Sequence, residues 1–242
     1  MKVAEQIREK LKNIPEGEPF GYSQLDIAST NFFTAAKALE RLQKKGVIKR
    51  VSKGLYYKPE MSIFGAMPPN YSSILQNYLY KDNKRVGYVT GYELYNQLNL
   101  TTQIAFKTKV ATNRSRKKID IGWLKVSSVK SYVEPTENNY QLLGILDALK
   151  DIKSIPDTSA TQAIKILIPK IKVFENQDIK NLIRYALHYP PRVRALLGAI
   201  IETTFIKKFE LDSLKKSLNP STTYKLGIIN SDLPTAQNWN IQ

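Results

Sequence analysis

The chain has 242 residues, of which 37 are Lys or Arg and 21 are Asp or Glu, giving a formal net charge of +16. An apolar fraction of 42% is enough to build the cores of one large or two ordinary domains, and the charge favours a polyanionic partner. With no cysteine and one histidine, the sequence excludes disulfides, thiolate metal sites and Cys/His nucleophile pairs.

The first sixty residues have the pattern of a winged helix-turn-helix. Apolar residues recur at helical spacing from Val3 to Ile14, with charged residues between them, and predict an amphipathic first helix. A short second helix is predicted from Tyr22 to Ile27. Ser29 or Thr30 would then cap a third helix, because a side-chain oxygen at that position can bond the first free amides.

The third predicted helix runs from about Asn31 to Lys45 and has two faces. With about 100° of rotation per residue, its apolar side is formed by Phe32, Ala36, Leu39 and Leu42. The opposite side is polar and basic, and such side chains can hydrogen-bond base edges in the major groove of double-stranded DNA. The candidate DNA contacts of this helix are Thr30, Asn31, Thr34, Lys37, Arg41 and Lys44.

Two strands joined by a basic turn are predicted directly after this helix. Val47–Val51 and Gly54–Tyr57 are β-like, with Ser52 and Lys53 between them, and would form the wing. A wing of this kind contacts phosphate, sugar or the minor groove, so it positions the protein more than it specifies sequence. Its candidate DNA contacts are Lys49, Arg50, Ser52, Lys53 and Tyr56. The alternative is a solvated face on a protein-interaction scaffold.

Pro59 closes the predicted winged-helix module, and a domain boundary is predicted after it. Gly65 and the pair Pro68-Pro69 favour a linker in 61–70, because neither continues a helix or a strand easily. We therefore divide the chain into a DNA-binding domain, 1–60, and a larger domain, 61–242.

The larger domain is predicted to combine a small antiparallel sheet with a C-terminal helical bundle, which makes the fold class α+β. Its predicted short elements are helices at 71–80 and 92–98 and strands at 86–90, 104–112, 119–125 and 125–133. From Tyr140 to near Leu218 the pattern predicts four or five helices, with breaks at Ser154–Pro156, Pro169–Val173 and Pro190–Pro191. The last residues, 219–242, are predicted to be either a packed arm or a frayed tail.

A second basic cluster lies among the predicted strands, where no acidic residue occurs between Glu93 and Asp120. Along a DNA duplex it would add phosphate contacts and steepen the salt dependence of binding. A charged strand edge that prevents aggregation is an equally good interpretation. The candidate secondary phosphate contacts are Lys107, Lys109, Arg114, Arg116, Lys117 and Lys118.

The sequence contains no recognisable catalytic motif. Its acidic residues are scattered and it has no glycine-rich phosphate loop, so we expect no enzymatic activity, no catalytic residue, no metal and no cofactor. An alternative from another class is a nucleic-acid-processing enzyme whose site is assembled from separated carboxylates. The amphipathic start lacks the apolar core of a signal peptide, and no run approaches about twenty apolar residues. We expect a cytoplasmic protein with no membrane partner.

Three segments resemble the AbiEi-like antitoxins of type IV toxin-antitoxin and abortive-infection loci. They are Lys44–Tyr57, Val89–Gln103 and Tyr189–Glu202, within a similarity that runs from the first helix to about Glu202. The resemblance implies an N-terminal winged helix that binds the promoter of its own operon and represses it. It also implies a second domain that opposes a nucleotidyltransferase-like toxin without a stable complex. The alternative is a winged-helix repressor with no toxin partner, whose second domain dimerises or senses a ligand.

Overall fold

The computed structural model describes residues 2–114, 118–121, 124–205, 208–228 and 231–242. It is mixed α+β, with small antiparallel sheets and several helices, as the sequence predicts at this level. Its helices are α1 (Val3–Lys12), α2 (Phe32–Lys44), α3 (Tyr71–Leu79), α4 (Tyr92–Gln97), α5 (Tyr140–Lys150), α6 (Ala160–Lys172), α7 (Asn176–Ala186), α8 (Pro191–Phe205) and α9 (Asp212–Lys216). None of the described helices is long and apolar enough to cross a membrane.

The strands are short. They are β1 (Pro19–Phe20), β2 (Lys49–Ser52), β3 (Leu55–Tyr57), β4 (Met61–Ser62), β5 (Gly65–Ala66), β6 (Tyr80–Lys81), β7 (Lys84–Arg85), β8 (Gly87–Thr90), β9 (Thr108–Thr112), β10 (Lys118–Ile121) and β11 (Leu124–Lys130). The chain divides into two compact units. Unit 1 is Met1–Tyr78 with Lys117–Val126, and unit 2 is Leu79–Arg116 with Ser127–Gln242.

The core of unit 1 forms between two helices and a three-stranded sheet of order β1-β3-β2. Helix α1 contributes Ile7 and Leu11, which is the apolar stripe that its sequence predicts. Helix α2 contributes Leu39, and Ile48 is buried just before β2. These side chains leave water completely or nearly so, which stabilises the packing of α1 on α2.

Between α1 and α2 the chain forms consecutive turns, so the prediction of a helix from Tyr22 to Ile27 is wrong. Asp26 has a φ of +53°, in the left-handed region that a right-handed helix cannot continue through. Leu25 and Ile27, in the same segment, are nevertheless buried. The backbone therefore buries both side chains with turns and without a helix.

The start of α2 also differs from its prediction. Ser29–Asn31 forms a 3₁₀ turn, and α2 begins at Phe32 with no side-chain cap, so neither Ser29 nor Thr30 is its N-cap. Leu39 is buried as predicted, but Ala35 is buried where Ala36 was expected, and Ala36 and Leu42 are half-buried. Phe32 was expected on the packed side, but it is 42% exposed.

The predicted linker at 61–70 contains a small hairpin. Strands β4 and β5 pair antiparallel, with Met61 opposite Ala66 and Ser62 opposite Gly65. Gly65 has a φ of +101°, which lets the chain reverse tightly between the strands. The side chains of Ile63 and Phe64, at the turn, are more than nine-tenths exposed.

In unit 2, helix α5 lies at the centre of the core. Its residues Leu142–Leu149 are all buried, and α7 and α8 pack against it. Strand β8 pairs antiparallel with β9, from Gly87 opposite Thr112 to Thr90 opposite Lys109. The predicted break at Pro169–Val173 lies too early, because α6 continues to Lys172. Pro169 is exposed and in the last turn of α6, where one missing amide hydrogen bond is tolerated.

The residues after α9 form a packed arm rather than a frayed tail. Tyr224 forms a β-bridge with Ile241, and the amide of Gln242 donates to the Tyr224 carbonyl at 3.0 Å. A 3₁₀ helix, Ala236–Trp239, places the Trp239 ring against α8 with only 2% of the residue exposed. The arm thus completes the core of unit 2.

We expect Gly198→Ala to destabilise unit 2 by roughly 1–3 kcal/mol, because an added methyl group would overpack the core. A Cβ atom at Gly198 would lie 2.3 Å from the Trp239 ring, and this clash outweighs the roughly 1 kcal/mol that alanine gains over glycine in a helix. The matched control is Gly144→Ala in α5, whose Cβ would meet the flexible end of Leu94 at 3.3 Å. Urea unfolding gives the free energy of unfolding of both variants. Equal values for Gly198→Ala and Gly144→Ala would contradict the predicted clash with Trp239.

Candidate nucleic-acid interface

One face of α2 presents a polar and basic stripe to solvent. Thr34, Lys37, Arg41 and Lys44 recur every three or four residues, and all four are exposed. Since residues at this spacing lie on one side of a helix, the structure brings them together as predicted. Thr30 and Asn31 are exposed immediately before the helix.

The segment that contains the stripe and the hairpin after it carries strong positive charge. This segment, residues 31–57, contains seven Lys or Arg and a single acid, Glu40. The Lys44 ammonium lies 2.9 Å from the Glu40 carboxylate, and this contact lowers the pKa of Glu40. Within the described part of the chain, Lys37 and Arg41 have no acidic partner at ion-pair distance. Their charges are therefore available to a partner.

The hairpin of β2 and β3 places further cations beside this helix. Arg50 pairs with Tyr56 across the hairpin, and an irregularity between Arg50 and Ser52 precedes the turn. The Arg50 guanidinium donates to the carbonyl of Ser52 at 3.2 Å. Lys49, Arg50 and Lys53 are exposed, and Ser52 is half-buried.

Tyr56 lies in a different environment from the one its predicted role requires. It is 8% exposed, and its ring stacks beside that of Phe20, with the centroids 6.2 Å apart. Burial raises the pKa of Tyr56, and the nearby Tyr22 hydroxyl raises it further. Tyr56 therefore contributes to the core beneath the hairpin, and its side chain is not part of the exposed basic face.

Tyr22 connects the start of α2 with the turn of the hairpin. Its ring stacks on Phe32, with the centroids 4.7 Å apart. The Tyr22 ring also contacts the hairpin turn, since a Cβ atom built at Gly54, whose φ is +77°, would lie 3.6 Å from it. Gly21 approaches so closely that its own Cβ would lie 3.1 Å from the Gly54 carbonyl oxygen. These contacts fix the hairpin turn relative to α2.

The predicted second basic cluster is divided between the two units. Lys107, Lys109 and Arg114 are exposed in unit 2, on or beside β9. Lys118 is exposed in unit 1, on β10, which lies against β2. Its ammonium is 3.4 Å from the Asp120 carboxylate. Arg116 and Lys117 lie outside the described residues.

Two features of this face were missed in the sequence. Phe33 is 74% exposed on α2, and the Lys37 ammonium lies 4.4 Å from the centre of its ring. Its helical angle, about 40° from Lys37, is a usable signal, but neither predicted face of the helix included Phe33. No pattern in the sequence indicates that β10 approaches β2, because these strands are far apart in the chain.

Unit 2 contains a buried polar cluster around Asp147, which is 2% exposed. Its carboxylate accepts hydrogen bonds from the Tyr88 hydroxyl at 3.0 Å and the Thr90 hydroxyl at 2.7 Å. The Lys150 ammonium donates to it at 3.0 Å, and the Tyr189 hydroxyl lies 3.5 Å from that of Tyr88. Burial raises the pKa of both tyrosines. Because these groups satisfy one another, the cluster holds the core together and does not present an open site.

The described residues contain no group of three or more His, Asp or Glu side chains that could hold a metal ion.

Comparison with known proteins identifies a family and finds distant structural likeness. The profile of a family described as a family of unknown function (DUF6088) matches residues 6–176. No curated protein matches the sequence. The crystal structure of the RV2827C protein from Mycobacterium tuberculosis is similar over 93% of this chain and 85% of its own, with a TM-score of 0.49 and 10% identity.

Proposed function

The chain belongs to the DUF6088 family, and we propose that it binds double-stranded DNA as a transcriptional regulator. The observation that carries the proposal is the exposed stripe of Thr34, Lys37 and Arg41 on α2. The major groove of B-DNA is wide enough for an α-helix, and its base edges present acceptors that Lys and Arg can bind. In this proposal α2 is the recognition helix.

The neighbouring elements have supporting roles in a winged helix-turn-helix. Helix α1 and the turns after it pack behind α2, and the β2–β3 hairpin is the wing. Lys49, Arg50 and Lys53 would contact phosphates on either side of the groove, which positions the protein without reading sequence. Lys118, on the strand beside β2, would extend this phosphate footprint.

We further propose that the DNA is the promoter of the protein's own operon and that unit 2 opposes a nucleotidyltransferase-like toxin. Support for this part comes from the resemblance to AbiEi-like antitoxins. Two resembling segments, Val89–Gln103 and Tyr189–Glu202, contribute Thr90 and Tyr189 to the cluster at Asp147. Because these two residues stabilise the core of unit 2, the resemblance at these positions supports an architecture shared with AbiEi-like antitoxins. It does not identify a contact with a toxin.

A fluorescence-anisotropy titration tests the DNA proposal. The full-length chain is added to a labelled duplex of its upstream region, and to a scrambled duplex of equal length, at several salt concentrations. We expect tighter binding to the upstream duplex and a log-log salt slope of about −0.9 for each phosphate contact. Affinity that does not change with salt, or equal affinity for both duplexes, would contradict sequence-specific binding through this face.

Co-expression with the adjacent gene tests the antitoxin proposal. Full-length protein should restore growth when that gene encodes a nucleotidyltransferase-like toxin. The full-length double variant Lys37→Ala with Arg41→Ala separates DNA binding from the antitoxin role. It removes the proposed DNA contacts and leaves unit 2 unchanged, so it should still restore growth. A neighbourhood without such a gene favours the repressor that has no toxin partner.

A further inference from the structure

We propose that Phe33 reads the C5-methyl group of a thymine, so that the DNA site must contain an A·T base pair at one fixed position. This inference rests on the proposed DNA binding and names a feature of the sequence that is bound. The methyl group of thymine is the apolar group that base pairs expose in the major groove, and phenylalanine is one of the side chains that contact it.

The Phe33 ring is not used by the core of unit 1. It is 74% exposed, whereas the buried residues of α2 are Ala35 and Leu39. Its neighbour Phe32 is partly covered by stacking on Tyr22. Phe33 therefore has apolar area to bury on a partner, and Phe32 has less.

The ring also lies on the basic side of α2. At about 100° per residue, Phe33 is about 40° from Lys37 and about 20° from Lys44 around the helix axis. It is the second residue of α2, and the first turns of a recognition helix are the part that contacts base edges. A helix that enters the groove with Lys37 facing the bases brings Phe33 to them as well.

Lys37 narrows the position of this thymine. Its ammonium lies 4.4 Å from the centre of the Phe33 ring, a cation–π contact that holds the two side chains together. A lysine ammonium binds the O6 and N7 acceptors of guanine in the same groove. Because the two side chains touch, the thymine and the guanine that they read must lie in adjacent base pairs.

Replacing each thymine in turn by deoxyuridine tests the inference, since this removes only the methyl group. In the shortest upstream duplex that binds, we expect one substitution per binding site to weaken the affinity roughly three- to fivefold, the effect of one buried methyl group. Phe33→Ala should weaken binding to the unmodified duplex by at least this factor and should not respond to the substitution. The matched control is Phe64→Ala, which removes another exposed phenylalanine of unit 1 and should keep the response.

The outcomes separate this inference from the proposed function. Sequence-specific, salt-dependent binding that is indifferent to every thymine substitution would overturn the role of Phe33 and leave the DNA proposal standing. The same holds if the Phe33→Ala protein is still weakened by deoxyuridine at the same position. It also holds if Phe33→Ala changes the mass of the protein in sedimentation, and so its oligomeric state, while DNA binding stays equally sensitive to deoxyuridine. If no duplex is bound at all, the proposed function and this inference fall together.

Discussion

Replacing Lys37 and Arg41 together by alanine is expected to weaken DNA binding by about two orders of magnitude or more. Each side chain is exposed on the same face of α2, and contacts of this kind contribute roughly 1–3 kcal/mol each. Neither side chain is buried, so the free energy of unfolding should change little. The measurement is the dissociation constant for the upstream duplex at one fixed salt concentration.

A second double variant controls for the lost charge. Lys172→Ala with Lys180→Ala removes two exposed lysines from helices of unit 2 and lowers the net charge by the same amount. We expect it to change the affinity only slightly. The salt slope should change little in the α2 variant, because the contacts that it loses are to base edges and not to phosphates. Equal weakening by both double variants would show that the general positive charge, and not the face of α2, binds the DNA.

The polar and basic face of α2 could be predicted from the sequence because the pattern that indicates it is local. The basic positions of α2 recur at helical spacing, and a glycine after the helix is followed by two β-like runs. These features depend on residues within a few turns of one another, where periodicity is informative. The prediction missed the turn conformation at Tyr22–Asp26, because a short segment with few periodic residues does not identify its backbone conformation.

The features that depend on distant residues could not be predicted. Tyr22 fixes the hairpin turn through contacts with Phe32 and Gly54, and β10 reaches β2 from far along the chain. In unit 2, the 24 residues after Leu218 left two alternatives open, since their polar composition does not show that Trp239 packs on Gly198. Contacts of this kind leave no periodic pattern in the sequence.

The buried tyrosines of unit 2 link its stability to alkaline pH. Tyr88, Tyr95 and Tyr189 are each 2% exposed. Burial raises the pKa of all three phenols above the usual range, and the nearby carboxylates of Asp147 and Asp151 raise it further. A phenolate in this core would lose its hydration and be repelled by these carboxylates, so the folded protein keeps the protons.

The sign of the pH dependence follows from where the protons are held. Because the folded pKa of each phenol is above the unfolded value of about 10, the stabilising contribution is fully present below pH 10. Above that pH the unfolded chain releases protons that the folded chain retains, so stability falls. Each phenol contributes about 1.4 kcal/mol per pH unit, and the three together roughly 4 kcal/mol per pH unit. Lys150 adds to the same trend, since Asp147 and Asp151 outweigh the effect of burial and raise its pKa.

Single variants identify the groups responsible for this loss of stability. Tyr88→Phe removes one phenol, so its free energy of unfolding should fall less steeply above pH 10, by about 1.4 kcal/mol per pH unit relative to the parent. Tyr92→Phe, at a position that is 42% exposed, should leave the slope unchanged. Urea unfolding from pH 8 to pH 11 gives the slopes, and absorbance near 295 nm follows the ionisation of the tyrosines. Equal slopes for the parent and Tyr88→Phe would mean that the phenol of Tyr88 ionises in the folded protein, and hence that the cluster around Asp147 is open to water.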